Sequence, residues 1–126
     1  MLNPKQPNMR GTPLERRYYK WLEGMPCALS ARTDEVERAH LRKFTGMGIK
    51  PHPRHILPLH HTLHEAEHDS PKHFWPCVFD DDPRDWAERL FEMFEQNDRT
   101  GAELLLVDMH EKASQPFLRM VFERAA

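Results

Sequence analysis

The chain has 126 residues, enough for one modest hydrophobic core and not for two, and its 39% apolar and 30% charged residues are those of a globular domain rather than a disordered chain. No apolar run approaches the ~20 residues of a membrane span, and the N-terminus lacks the apolar stretch of a secretory signal, so no membrane association and a cytoplasmic location are expected. A formal charge of -2 excludes a protein that grips phosphate backbone with its whole surface, because such affinity rests on cationic neutralisation; any contact with DNA must be local.

Residues 1–11 are polar and Pro-rich and predict a flexible tail, followed by a single domain over residues 12–126. Thr12-Pro13-Leu14-Glu15 combines a cap residue, Pro at the first helical position and Glu three residues after the cap, so a helix is predicted from there to Gly24. Leu14, Tyr18, Trp21 and Leu22 recur at helical spacing and read as its core face. Between Cys27 and Pro58 helical periodicity disappears and Gly46, Gly48, Pro51 and Pro53 punctuate the chain. Val36 to Leu41 and Arg54 to Leu57 are the plausible strands, joined by a loop. From Leu59 to His68 no breaker interrupts good helix formers until Asp69-Ser70-Pro71, which predicts a second helix, and Ser70 to Trp75 suggests one short turn before Pro76. Asp82-Pro83 followed by Trp86, Leu90, Phe91 and Phe94 predicts an amphipathic helix. Thr100-Gly101-Ala102-Glu103 repeats the capping-box pattern ahead of Leu104 to Val107, a run that fits helix or strand. Ser114-Gln115-Pro116 opens a last segment with Phe117, Met120 and Val121 on one helical face.

Seven of the nine histidines lie between His40 and His68. A cluster of solvated imidazoles serves no packing purpose, and neutral imidazole is the commonest protein ligand for first-row transition ions, so the concentration suggests ligation. On a helix His64 and His68, four residues apart, project from one face and can grip one cation, with His60 on the same face. Cys27 and Cys77 read as free thiols, or one of them as a metal ligand, rather than as a disulfide framework. The basic stretch Arg38, Arg42, Lys43, Lys50, His52 and Arg54 lies beside the histidines; Arg42, Lys43, Lys50 and Arg54 are the candidate DNA contacts. His64-Glu65-Ala66-Glu67-His68 also matches H-E-x-x-H, which in a zinc metalloprotease would make Glu65 the general base, although a domain this small offers little room for a two-part substrate cleft.

Trp21-Leu22-Glu23-Gly24-Met25-Pro26-Cys27, Glu37-Arg38-Ala39-His40-Leu41, Gly46-Met47-Gly48-Ile49-Lys50-Pro51, Leu57 through His68 and Phe74-Trp75, taken in order over residues 17–90, resemble the small HNH-type (His-Me finger) proteins of phages and prophages. The resemblance implies an α+β fold with a ββα-metal core over about residues 27–70, flanked by amphipathic helices in a helical C-terminal part over about residues 71–126. It implies hydrolysis of a DNA phosphodiester with one divalent cation, Mg, Mn, Ni or Zn. His40 at a strand end would deprotonate the attacking water, His64 and His68 would hold the cation, and His55 would stand where the family's middle Asn or Asp orients the base.

The family's structural zinc would fall on Cys27 and His60. Ser30, however, stands at the second cysteine position and Leu63 at the fourth ligand position, and two ligands do not close a tetrahedral site. Either His61 and another residue complete it or the zinc has been lost. These departures support a second expectation, a catalytically inert derivative from a phage that binds and inhibits a host defence or DNA-processing complex. The acidic run Asp80-Asp81-Asp82 would then offer phosphate-like charge, or else simply cap a helix.

Overall fold

A computed structural model of the protein describes residues 10–41 and 52–126. Among them are six α-helices and one two-stranded antiparallel sheet, an α+β architecture. Helix α1 (Pro13–Leu22) starts where Thr12 accepts a hydrogen bond from the Glu15 amide, and the chain turns out of it through Gly24 at φ +81°, a conformation only glycine adopts without strain. Strand β1 (Val36–His40) pairs with β2 (Ile56–His60), with Val36 opposite His60 and His40 opposite Ile56. Helix α2 (His61–Asp69) follows β2 directly, so strand, strand and helix succeed one another in the order that the histidine-bearing segment suggests. Helices α3 (Pro71–Val78), α4 (Pro83–Glu95), α5 (Arg99–Lys112) and α6 (Gln115–Ala125) complete the chain.

The second strand lies two residues later than the sequence suggests. Pro53 begins a 3-10 turn over Pro53–His55, capped by the His52 imidazole accepting from the Arg54 amide, and β2 then runs through Pro58. Pro58 lacks an N–H but its carbonyl accepts from the Ala28 amide at 2.8 Å, so the strand is held from the other side at this point. All five residues of β2 are buried, which explains its apolar run without alternation. The expected turn before Pro76 is instead the eight-residue α3, with Pro76 inside it on the exposed face. The run Leu104 to Val107 is helical: Asp98, two residues ahead of Thr100, caps α5 by accepting from the Gly101 amide.

One cluster of buried side chains ties these elements together, with Tyr18 from α1, Ile56, Leu57 and Leu59 from β2, Leu63 from α2, Trp75 from α3, Leu90 from α4, and Leu106 and Met109 from α5 at its centre. No helix among the described residues is long and apolar enough to cross a membrane.

Candidate metal and catalytic cleft

His40 ends β1, and the Leu41 amide just beyond it donates to the His55 carbonyl at 2.9 Å, which fixes the strand end against the 3-10 turn. Across from β1, α2 places His64 and His68 one turn apart. These three histidines, with Glu37, Glu65 and Asp69, line an open cleft of about 660 Å³. His40 lies 24 residues from His64 in sequence, and the β1–β2 pairing followed at once by α2 is what closes that separation.

His40 and His64 are each held by a carboxylate. Glu37 of β1 spans two rings of α2: its Oε1 is 2.8 Å from Nδ1 of His64 and its Oε2 2.7 Å from Nδ1 of His61. Burial pushes the Glu37 carboxyl up, but the hydrogen bonds and charge of His64 and His61 outweigh this and hold it below its usual range. The same contact raises the pKa of His61, whose Nε2 lies 2.9 Å from Glu65. Because an ionised carboxylate only accepts, Glu37 fixes the His64 proton on Nδ1 and makes Nε2 the basic nitrogen of that ring.

His40 is held from α1. Its Nε2 is 3.3 Å from Oε2 of Glu15 and 3.3 Å from the Tyr19 hydroxyl, while the other oxygen of Glu15 accepts from the Gly11 amide at 3.0 Å. Glu15 is only 4% exposed. Burial raises its pKa, yet the Gly11 hydrogen bond and the His40 contacts more than offset this, so the carboxylate stays ionised below its ordinary value. Tyr19 is shifted up, by burial and by the charge of Glu15, and the Arg38 guanidinium stacks over its ring 4.5 Å from the centroid. The Glu15 carboxylate beside Nε2 selects the tautomer in which Nδ1 of His40 accepts a proton.

The remaining expected site residues lie elsewhere. The His55 side chain turns toward α4, its Nε2 3.4 Å from Glu88, and does not line the cleft; burial, then the charge of Arg54, lowers its pKa. Orientation of His40 falls instead to Glu15 and Tyr19, and His55 contributes only its carbonyl. His60 is buried at the start of α2, its Nδ1 accepting from the Thr62 amide at 3.1 Å. Cys27 is a buried free thiol whose Sγ accepts from the Ser30 amide at 3.4 Å, and Cys77 is free and exposed. Leu63 is 0% exposed in the core. Among the described residues only Asp34, Glu35 and His60 bring three donor atoms within 4.8 Å of one another, and Cys27 joins no such group. Arg54 is exposed on the 3-10 turn, whereas Arg42, Lys43 and Lys50 lie outside the described residues.

Two further sequence features find internal partners. Asp82 caps α4 and pairs with Arg84 at 2.9 Å, while Asp81 accepts from the Trp86 indole at 3.1 Å and faces Lys112 at 3.4 Å, so much of the acidic run is spent on the fold. Glu67 in the H-E-x-x-H stretch is buried and accepts from the Trp75 indole at 3.2 Å.

No family model, curated protein or solved structure matches the chain.

Glu15, Tyr19 and Glu37 are the cleft's contribution that the sequence conceals. Glu15 sits at the third position of α1, where a glutamate reads as a capping residue, and one of its oxygens does that work. Glu37 is an ordinary polar strand residue until the register sets it beneath His64.

Proposed function

We propose that the protein is a divalent-metal-dependent endonuclease of the ββα-metal type, hydrolysing DNA phosphodiester bonds in the cleft between β1 and α2. The observation that carries this reading is the convergence of His40, His64 and His68 on one cleft, with His40 and His64 each held in a defined tautomer by its own carboxylate.

Two imidazoles one helical turn apart, one of them oriented through Nδ1 by Glu37, in a cleft also lined by His40, Glu65 and Asp69, are donors of the type that a divalent cation takes. His64 and His68 would hold the ion, with water and a phosphate oxygen filling the remaining positions. When bound, it would neutralise charge on the scissile phosphate and on the leaving oxygen.

The chain's own residues supply the proton chemistry. Nδ1 of His40 takes the proton of the attacking water, and the imidazolium so formed sits against ionised Glu15, which stabilises it and keeps the ring from turning. The carboxylate lining repels phosphate, so productive binding of DNA requires the cation, and the charge of -2 leaves affinity to local cations such as Arg54 and Arg38.

The test is incubation of the purified protein with supercoiled plasmid and Mg²⁺, Mn²⁺, Ni²⁺ or Zn²⁺, beside His40→Ala and His64→Ala. Metal-dependent nicking that both substitutions abolish is expected. Glu65→Ala, which would abolish a zinc protease, is expected to leave much of the nicking in place. No cutting with any of the metals would overturn the proposal and favour a binding role for the same fold.

A further inference from the structure

Outside the cleft, at the open end of the hairpin, one buried polar atom lacks a hydrogen-bond partner. His60 is 3% exposed, its ring packs edge-on against Phe122, and its Nε2 is buried without a hydrogen-bond partner. Two carboxylates face that atom, Glu35 at 3.6 Å and Asp34 at 3.8 Å. Both distances are too long for hydrogen bonds. Two ligands each about 2.1 Å from a tetrahedral ion stand about 3.4 Å apart, so the observed separations are within a few tenths of an ångström of those a shared ion would impose.

We propose that Asp34, Glu35 and His60 form a second cation site, separate from the catalytic cleft, that takes a first-row transition ion of the zinc class. The positive end of α2 would attract two carboxylates by itself, but it does not account for a buried imidazole nitrogen aimed between them. An imidazole with two carboxylates selects zinc-class ions over Mg²⁺ or Ca²⁺, which take oxygen ligands almost alone, and the exposure of Asp34 and Glu35 leaves the fourth position to water.

Binding is coupled to the helix that carries His64 and His68. Nδ1 of His60 accepts from the Thr62 amide, so the neutral ring carries its proton on Nε2. Loading the ion moves that proton to Nδ1 and exchanges the Thr62 hydrogen bond for a bond to the metal. The Glu35 carbonyl meanwhile accepts from the His61 amide at 2.8 Å, so the ion fastens the start of β1 to the start of α2. The Thr62 amide is therefore a reporter of occupancy that owes nothing to catalysis.

The site stands or falls independently of nuclease activity. The full chain carrying His64→Ala and His68→Ala, which silences the cleft, is titrated with Zn²⁺, and the His60 ring nitrogens and Thr62 amide are followed by NMR with stoichiometry from calorimetry. One equivalent is expected to bind, with Nε2 of His60 moving to a metal-bound shift and the Thr62 amide moving with it. Adding Asp34→Asn and Glu35→Gln, both exposed and tolerable to the fold, is expected to weaken binding by more than about tenfold. Absence of binding, binding that leaves His60 unshifted, or binding unchanged by the two carboxylate substitutions would each overturn the site.

Discussion

Glu15 performs two tasks with two oxygens, closing the first turn of α1 through Gly11 and facing Nε2 of His40. Glu15→Gln keeps the shape but lets an amide N–H point at Nε2, which reverses the ring tautomer and removes the partner of the imidazolium. Nicking by this variant is expected to fall by at least about tenfold, bounded by the about 10⁴-fold cost of replacing an orienting carboxylate by its amide in a serine protease. The apparent KM for DNA is expected to change little, because Glu15 stands behind His40 and does not line the cleft. Nitrogen shifts of the His40 ring should show the proton moving from Nε2 to Nδ1; a variant with wild-type rate and wild-type shifts would remove Glu15 from the machinery. The histidines themselves were legible in the sequence because their crowding has no packing use. Their carboxylates were not, since a glutamate three residues after a cap and a glutamate in a half-buried strand have commoner explanations, and only the register of β1 on β2 brings Glu37 to His64.

At the scale of elements, caps and apolar periodicity located α1, α4 and α6 well, because each begins at a residue whose side chain satisfies an orphan amide, whereas α2 is legible as an unbroken run of helix formers and its His60 cap is not. What the sequence misplaced turns on proline. Pro58 reads as the end of a strand but lies in its middle, since its carbonyl is used by Ala28, and Pro76 reads as a stop but lies on the exposed face of α3. Two of the positions where the family resemblance implies zinc ligands are packed instead: Leu63 is core, and the Cys27 thiol accepts from Ser30. Leu63→Ala is accordingly expected to cost about 2–5 kcal/mol in urea unfolding, the range for an aliphatic side chain removed from a closed core, with no dependence on added zinc. The α2–α3 junction makes a second check. Glu67→Ala leaves the buried Trp75 indole without this acceptor and is expected to cost about 1–3 kcal/mol, whereas a cost near zero would mean that water replaces the carboxylate.

For the whole molecule, the distribution of shifted groups sets how stability varies with pH. Burial lowers His52 and His55 from the ordinary 6.5, so below that value the unfolded chain takes up protons that the folded chain still refuses. Stability is thus lost as pH falls from 6.5 toward the folded values. Glu15, Glu37 and Asp82 are depressed in the folded state; their contributions are complete above the ordinary carboxylate values and are lost as pH falls through the folded ones, which extends the same trend to lower pH. Among the described histidines with a shifted pKa, His61 works the other way, its raised pKa giving stability that is present below 6.5 and disappears as pH rises through the folded value, and solvent around that exposed ring screens the effect. The unfolding midpoint in urea is therefore expected to decline steadily from about pH 7.5 to about pH 5, and to decline further in the carboxylate range. His55→Asn should flatten the portion just below 6.5 while leaving the lower limb intact, because it removes one buried imidazole and none of the carboxylates. A midpoint that rises on acidification through 6.5, or a His55→Asn profile parallel to the wild type, would mean that the imidazoles packed between the 3-10 turn and α4 accept protons without loosening the core. The same measurement bears on the cleft, since the turn that buries His55 also supplies the carbonyl that holds Leu41 and so the strand end carrying His40; acid that opens this turn is expected to release His40 before α5 and α6 unfold.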